Sequence, residues 1–167
     1  MRLAWWVAPA LLCVLAGCSP RQKNDETSEL HFDMQADTVH LSEGPRVLEG
    51  VEATRERGGA LRMRGHLAFP DGARIEISVY RHDEDELLGR VQVLTESQRF
   101  ESPPIMGSNG PLPQGAYRIE YRALFNAAWQ SPDVMRRTDD GRTLRGPGIT
   151  RDRIGGAAFY LIEERTL

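Results

Sequence analysis

His82-Asp83-Glu84-Asp85-Glu86 is the densest run of chemically capable side chains in this 167-residue chain. Carboxylates close together in a loop suit calcium, which takes six to eight oxygen ligands. Asp83, Asp85 and Glu86 are the candidate metal ligands. The run lacks the internal glycine and the twelfth-position glutamate of an EF-hand, and a solvated loop tip between two strands accounts for the same residues. The histidines, His31, His40, His66 and His82, are scattered, with no H-E-x-x-H and no pair within one helical turn. Met106-Gly107-Ser108-Asn109-Gly110 sets a serine among glycines but lacks the strand-to-helix turn of a nucleophile elbow. Gly146-Pro147-Gly148 has no lysine to complete a phosphate loop. No catalytic residue and no cofactor is assigned, and a non-enzymatic protein is expected. Phe125, Asn126, Trp129 and Gln130 fall between a strand and a helix. An aromatic beside amides there can form a partner-binding patch, because Trp and Tyr often anchor interfaces. The competing assignment makes Trp129 a lid on one end of the core.

Cys18 has a different chemistry. Residues 1–17, MRLAWWVAPALLCVLAG, place one positive charge ahead of an apolar run from Leu3 to Leu15. That run is shorter than the roughly 20 residues a membrane span needs and has the form of a secretory signal. Leu15-Ala16-Gly17-Cys18 resembles the lipobox of bacterial lipoproteins. The resemblance implies cleavage before Cys18 and attachment of diacylglycerol to its thiol. Small residues ahead of the cysteine let a peptidase approach the backbone. Since Cys13 lies in the segment to be removed, Cys18 would be the only thiol of the mature chain, which leaves no disulfide and no cysteine metal site. Acyl chains add about 0.8 kcal/mol per buried methylene, and two suffice for a stable anchor. By the same resemblance, Ser19 directs the protein to the outer membrane of a diderm host, facing the periplasm.

Without Arg2 the chain carries 20 basic and 24 acidic side chains, a formal charge of −4. That balance argues against nucleic acid as a partner and against broad attraction to anionic surfaces. Residues 19–29, SPRQKNDETSE, have no large apolar side chain and read as a flexible tether. Extended to about residue 45, it would span about 30 Å. The alternation of Leu30, Phe32 and Met34, then Val39 and Leu41, also allows a first strand there. The organisation expected is signal 1–17, lipidated cysteine and tether 18–45, and one domain over 46–167.

That domain reads as strands. Leu61, Met63, Gly65 and Leu67 alternate with Arg62, Arg64 and His66, and Ile75, Ile77 and Val79 alternate with polar partners. Phe69-Pro70-Asp71-Gly72 between them has turn chemistry and predicts a hairpin. Further strands are expected around Val47–Val51, Val91–Val93, Phe100, Tyr117–Tyr121 and 157–164, the last buried on both sides or central in its sheet. Ser131-Pro132-Asp133 supplies an N-cap, a proline at the first helical position and an acid at the helix start, predicting a short helix over 132–139. About seven short strands with regular turn signals point to an all-β fold, an antiparallel sandwich.

The stretches LRMRGHLAFPDGARIEISVY, GPLPQGAYRIEY and LRGPGI, with the final strand, resemble a group of uncharacterised bacterial lipoproteins over roughly 61–165. Phe69, where that group often has Leu, and the charged loop at 82–86 depart from its pattern. The resemblance implies an immunoglobulin-like β-sandwich and no particular activity. The expected function is therefore a lipid-anchored envelope protein that binds or assembles another envelope component. The alternative is a carbohydrate- or calcium-binding module.

Overall fold

The computed structural model describes residues 43–82, 84–151 and 156–167, and the backbone of 39–41. Nine strands and one helix lie in these residues: β1 (Val39–Leu41), β2 (Leu48–Arg55), β3 (Leu61–Leu67), β4 (Arg74–Arg81), β5 (Leu87–Leu94), β6 (Arg99–Glu101), β7 (Ala116–Phe125), α1 (Pro132–Arg137), β8 (Ile149–Arg151) and β9 (Ala157–Thr166). They form a three-stranded sheet, β2-β3-β6, and a six-stranded sheet, β1-β8-β9-β7-β4-β5. Every pairing is antiparallel. The chain changes sheet between β1 and β2, between β3 and β4, between β5 and β6, and between β6 and β7, so the two sheets form a β-sandwich. The two strands beyond the seven expected, β1 and β8, are three residues each and pair with one another, so the large sheet takes in residues ahead of 46.

Period-two alternation builds the core. β7 turns Tyr117, Ile119, Tyr121, Ala123 and Phe125 inward, while β4 supplies Ile75, Ile77 and Val79, and β3 supplies Leu61, Met63 and Leu67. Phe69 sits between Phe125 and Phe159, meeting both rings edge-on at 4.9 and 5.3 Å between centroids. Such contacts add roughly 0.5–1.5 kcal/mol beyond burial of area. On β3 the glycine is obligatory: a Cβ on Gly65 would lie 2.8 Å from the Phe100 ring of β6 and 3.3 Å from Val51.

The hairpin expected around Pro70-Asp71-Gly72 does not form. β3 and β4 lie in different sheets, and the turn is an arch over one end of the sandwich. Phe69 enters the core, which pulls the chain out of β3's sheet. The turn's backbone then pairs with Thr95 at the end of β5: Gly72 N–H donates to Thr95 O at 2.8 Å, and Thr95 Oγ1 donates to Pro70 O at 2.6 Å and accepts from Ala73 N–H at 2.9 Å. Turn chemistry specifies that the chain reverses but not which sheet receives it.

β9 is central, between β8 and β7, and is buried on both faces at Ala157 and Ala158, but further along it leaves Ile162 46% exposed. Helix α1 begins as expected, with Ser131 Oγ accepting from Val134 N–H at 3.3 Å, and it ends at Arg137. Thr138 stops it, its backbone N–H bonded to Val134 O and its hydroxyl donating to the same oxygen.

Candidate functional site

The outer face of the large sheet gathers the most organised polar chemistry among the described residues. Antiparallel register places Glu76, Ser78 and Tyr80 of β4 opposite Arg122, Glu120 and Arg118 of β7. On the flanks, β5 sets Gln92 and Arg90 opposite Glu76 and Ser78, and β9 sets Tyr160 opposite Arg122. These residues share one face because side chains alternate along each strand and directly paired residues point the same way.

Two rows of contacts follow. In the first, Glu76 is 5% exposed yet ionisable, so it must be paired to stay charged. Arg122 Nη2 lies 3.0 Å from its Oε1 and Arg90 Nε 3.6 Å. Arg90 also donates to Ser78 Oγ at 3.2 Å. The Arg122 guanidinium carbon stands 5.4 Å from the Trp129 ring centroid, a cation–π contact that connects sheet to loop. In the second row the Arg118 guanidinium lies 4.7 Å over the Tyr80 ring, with Asp85 at 3.0 Å and Glu120 at 3.3 Å. Burial, followed by the neighbouring Glu120 carboxylate, pushes the Tyr160 phenol up to about 12. The face thus presents two aromatic–arginine pairs, Trp129–Arg122 held by the sunken Glu76 carboxylate and Tyr80–Arg118 held by Asp85 and Glu120.

The residues singled out from the sequence take different places. Phe125 is in the core against Phe69. Gln130 is buried and clamps the start of β4: Arg74 N–H donates to its Oε1 at 2.8 Å, and its Nε2 donates to Arg74 O at 2.9 Å. Asn126 is exposed but closes its own turn, Oδ1 accepting from Ala128 and Trp129 N–H at 3.1 and 2.9 Å. Trp129 alone of the four joins the outer face, its indole N–H directed at Arg74 O, 3.4 Å away. Asp85 and Glu86 are ion-paired, Asp85 with Arg118 and Glu86 with Arg81 at 3.3 Å, while Asp83 lies outside the described residues. Among the described residues no three His, Cys, Asp or Glu side chains group as a metal site. Cys18, the signal segment and the tether as far as residue 38 also lie outside the described residues, while residues 39–41 of the stretch expected as tether form β1.

The outer face of the small sheet differs. An open groove of about 860 Å³ runs over it, lined by Glu52, Arg64, His66, Arg99 and Glu101 and floored by Gly65 and Phe100. Its charges pair on the surface, as Arg64 does with Glu52 at 2.6 Å, both side chains more than 60% exposed.

Neither Glu76 nor the arginines around it stood out in the sequence. Their only signal is the charged half of the alternations RIEISVY and YRIEYR, which reads equally well as a solvated face. No family model, no curated protein and no solved structure matches the chain.

Proposed function

We propose that the chain is a lipid-anchored, non-enzymatic module of the bacterial cell envelope that presents the outer face of β5-β4-β7-β9 to a protein partner. The observation that carries this reading is the Trp129–Arg122–Glu76 row. Trp, Tyr and Arg dominate interface hot spots, and pre-ordered side chains lose less entropy on binding. Glu76 orders the arginines before any partner arrives. Anchorage rests on Leu15-Ala16-Gly17-Cys18, and Ser19 favours the outer membrane, with the domain in the periplasm. The likeness to uncharacterised sandwich lipoproteins belongs to the same proposal.

The test is crosslinking in intact cells followed by pull-down from solubilised membranes. Wild type should enrich one envelope protein. Cys18→Ser should leave the membrane fraction and lose that partner, and Trp129→Ala should stay anchored but lose it. Unchanged capture by Trp129→Ala, with the fold intact, would reject the face.

A second reading has its own observation. The groove on the small sheet places the planar guanidinium of Arg64 beside carboxylates, the fork-like donors and acceptors that grip sugar hydroxyls. A carbohydrate-binding module would then bind envelope glycan fragments through that groove. Arg64→Ala would abolish glycan retention, and Trp129→Ala would not.

A further inference from the structure

Between Ser131 and Arg151 the chain carries five arginines and three aspartates. Each aspartate is taken: Asp133 by Arg136 and Arg137, Asp139 and Asp140 by Arg142. Arg145 and Arg151 have no carboxylate partner among the described residues. Their guanidiniums instead donate to backbone carbonyls of one loop, Arg145 to Arg142 and Leu144, Arg151 to Gly141, Arg142 and Leu144. Burial, and then the neighbouring Arg145 charge, lowers the pKa of Arg151 from its ordinary value. Among the described residues, two cations thus share a loop with no anion between them. Beside them, Arg137 and Arg145 rim a cleft of about 310 Å³ that is apolar at Val47, Phe69 and Leu144. A cationic rim over an apolar floor suits an amphipathic anion.

The topology states where this end of the sandwich lies. Val39 of β1 pairs with Arg151 of β8, so the chain from Cys18 joins the domain beside this cluster. At full extension that stretch reaches no more than about 70 Å. The acidic turn at Glu84, Asp85 and Glu86 sits at the opposite end of β4 and β5. An anchored domain therefore has its unpaired arginines next to its attachment point and its acidic turn away from it.

We infer that the end formed by Arg137, Arg145 and Arg151 rests on the bilayer that holds the Cys18 lipid, with its guanidiniums on the phosphates of anionic lipids. This rests on the proposed lipid anchor and adds an orientation to it: the domain stands on this end, with the strands rising from the membrane. Each arginine near an anionic leaflet strengthens the contact about fivefold, and salt weakens it.

The experiment uses the full acylated chain reconstituted in vesicles, with a dye on a cysteine placed at Thr143→Cys or, at the far end, at Gln114→Cys, and a headgroup-attached quencher in the lipid. In phosphatidylglycerol-containing vesicles the dye at 143 should be quenched severalfold more than that at 114. The difference should shrink in pure phosphatidylcholine, at high salt, and with Arg137→Glu or Arg145→Glu, and it should survive Arg145→Lys. Thermal melts identify any variant that fails to fold, and Arg137, an exposed helix residue, gives a second charge reversal that avoids the loop. Equal quenching at both sites, or indifference to anionic lipid, overturns the inference. So does quenching that excess inorganic phosphate abolishes at constant ionic strength, which would mark a site for soluble phosphate. Mass spectrometry showing an unacylated Cys18, with no protein on the vesicles, would refute the anchor instead, a separate failure.

Discussion

The two outer faces of the sandwich use the same alphabet of arginine and glutamate to different ends. On the small sheet, Arg64 and Glu52 meet at 2.6 Å with both side chains in water. On the large sheet, the Glu76 side chain is only 7% exposed and holds Arg122 at 3.0 Å, beneath a tryptophan. Exposed pairs contribute roughly 0–1 kcal/mol because water competes for both charges and two long side chains must be ordered. A sunken carboxylate cannot lose its partners so cheaply, since its desolvation is already spent. The difference shows why charge pattern alone does not mark a functional face. What marks it is charge that the fold has removed from water and fixed beside aromatic rings.

Both faces rest on one core, and the largest effect comes from breaking that. Phe159→Ala removes the ring that meets Phe69 at 5.3 Å and should cost about 3–5 kcal/mol in chemical denaturation, loosening both faces together. Glu76→Ala should cost about 1–3 kcal/mol, because it removes the acceptor of Arg122 and the carboxylate paired with Arg90. It should also weaken partner capture, whereas a loss no larger than that of Glu52→Ala would erase the distinction between the faces. Alkaline titration sharpens the same contrast. Tyr160 ionises at about 12 in the folded chain, above the ordinary tyrosine value near 10. The folded state therefore holds a proton that the unfolded state releases first. Its contribution to stability is complete below about pH 10 and is lost as pH rises toward 12. Tyr160→Phe should flatten that portion of the stability–pH curve, as followed by denaturation at successive pH values. The smallest effect belongs to the small sheet: Glu52→Ala should change stability by less than about 1 kcal/mol, and high salt should remove the change.

How far the sequence reaches follows the same physics. Strands β3, β4 and β7 were legible because their apolar side chains alternate strictly toward the core, and α1 because Ser131 and Pro132 announce its start. The arch at Pro70–Gly72 was not legible, because its partner is Thr95, more than twenty residues away, and Phe69 decides the crossing by packing. The patch drawn over 125–130 dispersed for a related reason. Phe125 ends an inward alternation that begins at Tyr117, and Gln130 satisfies the backbone of a distant strand. Trp129 keeps its place on the surface, but its partner Arg122 is supplied by strand register, and linear spacing does not show which strands pair.

The central claim is that the large sheet's outer face meets the partner. A photo-crosslinking residue at Gln92, which shares that face with Glu76, tests it directly against one at Thr54, which shares the small sheet's outer face with Arg62. In intact cells the account predicts a crosslinked adduct from position 92 that disappears with Cys18→Ser, and none from position 54. An adduct from position 54 alone would contradict it and move recognition to the groove on the small sheet.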